Sequence, residues 1–415
     1  MPAFLYKQCL SRHFVGEMRA WKYRLYPSKL QQEKLDSYLY ECKNLWNKIL
    51  DHTKKYYDET GKFPSRKELY LKVKGDVLFS QVAQNVADRL VKSLGGVVAR
   101  KKAREKVGFP RFKSTDRVKS FTYPQFGFKL GKKLELSGIG NVAIKKHREL
   151  KGRIKTLTIK KMASGKWFAI FTSEIGRFVF QKKTGSAAGV DLGIESFAYL
   201  SDGTSIENPK NLKLAEQKLK DVQREIARKK KGSKNRRKAR LKAAMAYETL
   251  VNKRRDFLHK TTRRLVDSYS FLALENLNVA GLARGFIAKH VLDCCWAEFA
   301  SMIAYKAEEA GCEIVLVNPA HTTQMCSSCG LIRKKSLAER WHSCPCGATM
   351  HRDLNAAINI RNRATNGTTN HSIDSSFGAT GGTPESQACE EDTSTGSPNP
   401  QVSSLKQEAH TFRCG

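Results

Sequence analysis

The chain has 415 residues, 40% of them hydrophobic, with 75 Lys and Arg against 39 Asp and Glu, a formal net charge of +36. That is enough apolar matter for the cores of two or three domains, which excludes a wholly unfolded basic chain, and a charge of this size points to phosphates as partners. No apolar run reaches the roughly 20 residues a membrane span needs. The eleven cysteines, four closely paired and seven scattered, are no disulfide framework, so a reducing cytoplasm is expected.

Residues 1–17, MPAFLYKQCLSRHFVGE, carry charges that break up any apolar core. They read as an extension ahead of a translation start at Met18, not as a signal peptide. From Arg19, RAWKYRLYP alternates aromatic and basic residues up to Pro27 and predicts a strand with a positive face. Leu30, Leu35, Leu39, Leu45 and Leu50 within 28–61, and Val82, Val86, Leu90 and Leu94 within 65–105, predict two amphipathic helices parted by Gly-Lys-Phe-Pro. GFPRFK, 108–113, is a loop that sets two aromatics beside Arg111 and Lys113; packing on a core and contact with nucleic acid are both open to it. Between 118 and 180 short alternating runs such as KTLTIKKM and KWFAIFTSEI, broken by Gly and Pro, predict a small barrel, here one with a helical insertion.

QKKTGS, 181–186, is a polar linker. AAGVDLGIESFAYLSDG, 187–203, predicts an apolar strand ending on Asp191, a turn at Gly193, and a return through Phe197, Tyr199 and Leu200 to a turn at Asp202-Gly203. Residues 211–269 read as long helices broken at Gly232-Ser233. Nine of the thirteen residues from Arg228 to Arg240 are basic. Such a run repels itself unless phosphates lie nearby, which favours a nucleic-acid backbone over a merely solvated face. SFLALENLNV, 270–279, is an apolar run that stops on Glu275. A Gly281 to Gly285 loop, a helix from about Val291 to Ala310 and a buried strand CEIVLVNP, 312–319, follow. CSSCG from Cys326 and CPCG from Cys344 then precede HRDLNAAINI, where Ala356, Ala357 and Ile360 at helical spacing carry Asp353. The order strand, hairpin, helices, strand, helix, strand, ribbon, helix is that of a ribonuclease H-like core, a mixed sheet with helices on it and two insertions. The stretch from 364 to 415 is acidic, rich in Thr, Ser, Gly and Asn, and predicted to be disordered.

Asp191 stands between Val190 and Leu192, and Glu275 between Leu274 and Asn276, where an unpaired charge would be costly. With Asp353 they make three hard oxygen ligands, the set a two-metal phosphodiester site needs to hold Mg2+ ions roughly 4 Å apart. Glu195 lies close by as a supporting candidate. Arg352 is open to contact with the scissile phosphate or to plain solvation, and Asn355 and Asn359 are without an assigned role. Cys326, Cys329, Cys344 and Cys346 have the spacing of a structural Zn2+ site with no position left for water. Only Pro345 separates the second pair, so substitution of one thiolate by His342 or His351 is a standing alternative.

GVDLGIES, ALENLNV, the CSSCG to CPCG ribbon and HRDLNAAINI resemble TnpB, also called OrfB, the RuvC-like RNA-guided endonucleases of bacterial and archaeal insertion sequences, related to type V CRISPR effectors. RAWKYRLYP, GFPRFK, KNRRKARLK with KRRDFLHK, and SLKQEAHTFRCG are similar to that family as well, so the resemblance spans most of the chain. It implies a fold of α/β plus β-barrel type: a wedge barrel with a helical recognition lobe over 18–180, and a RuvC-like nuclease domain over 181–363 with a zinc ribbon at 321–350. It also implies a guide RNA made from the element's end, a double-stranded DNA target read by base pairing beside a short motif, and catalysis by Asp191, Glu275 and Asp353 on two Mg2+. Strand transfer on a ribonuclease H fold, and a non-cutting RNA or DNA binder, are the rival readings.

Overall fold

The computed structural model describes residues 17–75, 77–176, 183–284, 288–336 and 338–366. The predicted N-terminal extension before Glu17 and nearly all of the predicted disordered tail therefore lie outside the described residues. The described chain forms two compact units, one over residues 17–176 and the other from 183 onward.

The first unit opens with strand β1 (Glu17–Tyr26), then helices α1 (Lys29–Thr60), α2 (Arg66–Val73) and α3 (Ser80–Lys102). A short 3-10 turn leads into strands β2 (Ser120–Tyr123), β3 (Phe128–Leu130), β4 (Lys133–Leu136), β5 (Gly140–Lys145), β6 (Arg153–Lys161) and β7 (Trp167–Ile175). The strands form one antiparallel sheet in the order β2-β6-β7-β1-β5-β4-β3. Its two edge strands are consecutive in the chain, and the rings of Tyr123 and Phe128 lie 6.3 Å apart. The sheet has thus curled into a nearly closed barrel. The strict alternation of β1 decides its faces: Trp21, Tyr23 and Leu25 are buried, while Lys22 and Arg24 lie over the Phe168 ring at 4.6 and 5.2 Å.

Helix α1 begins with a capping box, Ser28 accepting from the Gln31 N–H and the Gln31 side chain accepting from the Ser28 N–H. It buries Leu35, Leu39, Leu45 and Leu50, but Leu30 in its first turn is exposed. The single helix predicted over 65–105 is instead α2 and α3, because Gly75 takes a left-handed φ of 78° and stops the first. The GFPRFK loop divides its aromatics: Phe109 packs on Tyr57 and Phe63, while Phe112 is exposed beneath the Lys54 ammonium. Trp46 and Asn47 of α1 bind the backbone of Arg111 and Lys113, so the loop is fastened to the helix.

The second unit contains strands β8 (Ala187–Leu192), β9 (Ser196–Leu200) and β10 (Ser205–Glu207), helices α4 (Asn211–Ala227) and α5 (Lys234–Ser268), and strand β11 (Phe271–Glu275). Helices α6 (Val279–Leu282), α7 (Ala288–Cys294) and α8 (Trp296–Ala310) lead to strand β12 (Glu313–Val317), the ribbon strands β13 (Trp341–Ser343) and β14 (Thr349–His351), and helix α9 (Arg352–Thr365). The helix predicted from about Val291 is interrupted because Cys295 adopts φ 53°, a left-handed conformation unusual for a residue with a Cβ.

The sheet order is β10-β9-β8-β11-β12, antiparallel across the first three strands and parallel across the last three. This is the predicted mixed ribonuclease H-like core. Ala188, Val190, Leu272 and Leu274 face the buried apolar side of α5 and α8, with Leu258, Leu265, Phe299 and Ile303. Ala273 and Val317 point the other way, to Ile360 and Ala364 of α9. No helix among the described residues is long and apolar enough to cross a membrane.

Candidate active site

Period-two alternation sorts the carboxylates before any contact is considered. On β8, Ala188 and Val190 go to the α5–α8 face, so Gly189 and Asp191 go to the α9 face; on β11, Ala273 and Glu275 do the same. Gly189 stands opposite Ala273 in the parallel register, which puts Asp191 and Glu275 together at the strand ends. Helix α9 crosses this face with Asp353 in its first turn. Its approach is very close: a Cβ on Gly189 would meet the Ala357 carbonyl oxygen at 2.1 Å and the Arg361 nitrogen at 2.6 Å.

Asp191 is 9% exposed. Burial, then the charges of Glu275 and Asp353, push its carboxyl well above the ordinary range, and the Arg352 guanidinium only partly opposes them. Burial raises Glu275 as well, while the Thr322 hydroxyl, which donates to its Oε1 at 2.6 Å, and the Arg363 charge draw it back. Among the described residues no hydrogen-bond donor reaches the Asp191 carboxylate. Asp353 accepts from Arg352 Nε at 3.2 Å, and its own N–H donates to Nδ1 of His351, the N-cap of α9, at 3.3 Å. Three carboxylates on one buried face, with the guanidiniums of Arg352 and Arg363 nearby, form a site that hard cations would complete.

Of the other candidates, Glu195 turns outward and pairs with Arg340 Nη2 at 2.7 Å. Arg352 is not solvated; besides Asp353 it donates to the Glu339 carbonyl at 3.0 Å. Asn355 and Asn359 are buried anchors. Asn355 donates to the Met325 carbonyl and accepts from the Ser327 N–H, and Asn359 donates to the Thr322 and Met325 carbonyls. They bind the start of the ribbon to the helix that carries Asp353. Gly189 and Thr322 escaped the reading of the sequence; a glycine inside an apolar strand is the signal that marks such a close approach.

In the ribbon the four sulfurs of Cys326, Cys329, Cys344 and Cys346 lie within 4.8 Å of one another, with Cys326 to Cys346 at 3.7 Å and Cys329 to Cys344 at 3.5 Å. A tetrahedral Zn2+ with Zn–S bonds of about 2.3 Å requires about 3.8 Å between sulfurs. The single-residue spacing at Pro345 thus still delivers both thiols. The sulfur cluster includes neither histidine: His351 caps α9 and stacks on Tyr199, and His342 is buried with Nδ1 against the Lys335 ammonium and its ring beside Cys326. Burial pushes the Cys326 thiol up, but the Cys329 and Ser328 N–H groups and the His342 ring prevail and hold it at about 5. The Cys346 N–H lowers Cys344, yet burial and the neighbouring sulfurs bring it to about 12. Four sulfurs so close cannot all ionise without a cation between them.

The basic run spans the turn between α4 and α5 and the first two turns of α5. Arg236 folds back to the Ile226 and Lys229 carbonyls at the end of α4, and the other eight basic side chains are exposed.

Three family models match: "Helix-turn-helix domain" of the OrfB group at residues 18–62, "Probable transposase" at 173–285, and "Cas12f1-like, TNB domain" at 296–360. Residues 18–62 are here a strand followed by one unbroken helix. A "Putative RNA-guided DNA endonuclease" of Streptomyces pristinaespiralis is 32% identical over 362 residues, covering 82% of this chain and 88% of the relative. The "Putative RNA-guided DNA endonuclease InsQ" of Escherichia coli (strain K12) is 27% identical, covering 83% and 92%. Among solved structures, the chain in "Cryo-EM structure of the Cas12f1-sgRNA-target DNA complex" has a similar fold, with a TM-score of 0.53 at 14% identity, covering 81% of this chain and 84% of that one.

Proposed function

The chain belongs to the TnpB (OrfB) family of insertion-sequence proteins, and from that premise we propose that it is an RNA-guided DNA endonuclease whose reaction is carried by Asp191, Glu275 and Asp353. The observation that carries the assignment is the Asp191 carboxylate, buried between two others and reached by no hydrogen-bond donor among the described residues. A purely structural carboxylate in that position would be left uncompensated.

Asp191, Glu275 and Asp353 would together hold two Mg2+. When bound, the ions supply a water nucleophile at neutral pH and charge neutralisation at the departing oxygen. The protein's own share is positional. The Thr322 hydroxyl fixes one oxygen of Glu275, and Arg352, tied to Asp353 and to the Glu339 carbonyl, keeps a guanidinium beside the place where phosphate charge develops. Zn2+ at the four cysteines would have a structural role, all four positions being protein sulfur. Through Asn355 and Asn359 it would steady α9, and so Asp353.

Residues 18–180 would grip the guide RNA and its target duplex, with the basic α4–α5 turn on the heteroduplex backbone, and residues 181–363 would cut. The protein would work in the cytoplasm, at the nucleoid. The test is purification from cells carrying the element and its flanking DNA, sequencing of the bound RNA, and cleavage of a matched plasmid in Mg2+. A defined RNA with guided cutting that Asp191→Ala abolishes, RNA still bound, is the expected result. Cutting that survives the substitution defeats the site assignment. Bound RNA without cutting would make the protein a regulator. Joining of DNA ends without RNA would favour strand transfer, the reading that the "Probable transposase" description supports.

A further inference from the structure

Five tryptophans occur in the chain, and four are structural: Trp21, Trp46, Trp167 and Trp296 are each 7% exposed or less. Trp341 is 64% exposed. A single exposed apolar side chain ordinarily needs no explanation, but the setting of this one is particular. Trp341 is the cross-strand partner of His351 in the ribbon, and their rings meet edge to face at 6.1 Å and 73°. His351 stacks on Tyr199 at 4.7 Å and 16°, and Tyr199 is the cross-strand partner of Asp191. His351 also caps the helix that carries Asp353. Three aromatic rings therefore lead from solvent to the carboxylates, and the outermost has an open face. Beside it, Arg340 is held by Glu195.

We propose that Trp341 is a stacking platform for one unpaired nucleobase of single-stranded DNA at the rim of the carboxylate site, holding the strand while its phosphate is cut. The proposal rests on the nuclease reading above and adds to it a base-binding position. A stacked base must be out of its duplex, so the preferred ligand is a displaced single strand. Every base has a π-face, so the platform tolerates any sequence, as a nuclease directed by a guide requires.

Because the other four tryptophans are buried, the red-edge, acrylamide-quenchable fluorescence of the chain reports Trp341. The experiment uses the protein with its co-purified RNA, Ca2+ in place of Mg2+ to stop cutting, and two probes of equal length: oligothymidylate and an oligomer of abasic deoxyribose phosphates. Oligothymidylate is expected to quench this emission and shield it from acrylamide, while the abasic oligomer binds through charge and leaves it accessible. Trp341→Ala is expected to weaken oligothymidylate binding by roughly 5- to 100-fold with little change for the abasic oligomer, and Trp341→Tyr to restore most of it. Equal quenching by both probes, or unchanged oligothymidylate affinity in Trp341→Ala at intact zinc content, overturns the proposal. Asp191→Ala separates it from the nuclease reading: stacking there should persist while cutting is lost. Loss of stacking in Asp191→Ala overturns the platform, and cutting in that variant overturns the site assignment alone.

Discussion

Gly189→Ala tests whether the approach of α9 to β8 builds the site. The added Cβ would lie 2.1 Å from the Ala357 carbonyl oxygen, 2.6 Å from the Arg361 nitrogen and 3.0 Å from the Arg361 Cβ. Carbon and carbonyl oxygen need about 3.3 Å, so helix and strand must part by about 1.2 Å. The strand cannot give way easily. The Gly189 N–H donates to Ser201 Oγ at 3.1 Å, its carbonyl accepts from the Ser201 N–H at 3.0 Å, and Ala273 is paired on its other side. The helix moves instead, and Asp353 moves with it. Overpacking of this kind costs about 1–3 kcal/mol, and a displacement near 1 Å at a reacting centre costs about 100-fold in rate. Single-turnover guided cleavage against Mg2+ concentration, with a melting curve, measures both. The variant should cleave about 100-fold more slowly, need more Mg2+ and melt earlier. Gly95→Ala is the control. Gly95 lies inside α3 with nothing within 4 Å of its added Cβ, so alanine should stabilise by roughly 0.5–1 kcal/mol and leave cleavage alone. Wild-type cleavage and melting in Gly189→Ala would refute the reasoning.

Thr322→Val keeps shape and removes the donor to Glu275. Glu275 then rises further above its ordinary range, and because cations need it ionised, the acid limb of the cleavage rate should shift to higher pH; an unmoved limb counts against Glu275 as a ligand. Lys306 is buried among α5 residues, donating to the His259 carbonyl and Thr262 Oγ1, and burial first, with Arg263 second, lowers it to about 8 despite Glu309 and Asp267. The unfolded chain, near 10.4, binds more protons between those values, so the penalty is complete below about pH 8 and fades as pH rises toward 10.4. Lys306→Met should therefore stabilise by on the order of 2 kcal/mol at pH 7, an advantage that shrinks by pH 10 in denaturant melts; a constant difference across that range would exclude this account.

The core of the second unit was legible because its strands are short apolar runs that end on carboxylates, and their alternation alone assigns Asp191 and Glu275 to one face. The ribbon was legible from cysteine spacing, although spacing left open whether His342 or His351 replaces one of the thiols; only the folded loop shows all four sulfurs converging. What the sequence hid is non-local or backbone-borne. Asn355 and Asn359 bond to carbonyls about thirty residues earlier in the chain, and Thr322 reaches back to Glu275. The break at Cys295 has no local signal at all, since the helix resumes at once and no Gly or Pro marks the kink.

The order of the three carboxylates along the polypeptide matters to a cell that makes this protein. Asp191 and Glu275 leave the ribosome long before Asp353, which arrives only once the cysteine loop has emerged. A nascent chain, or one ended by a premature stop before Arg352, carries the basic surfaces without the helix that closes over Gly189. Such a fragment lacks the third carboxylate, so on the proposed site assignment cutting ability would appear late in synthesis and only in chains whose ribbon has been made.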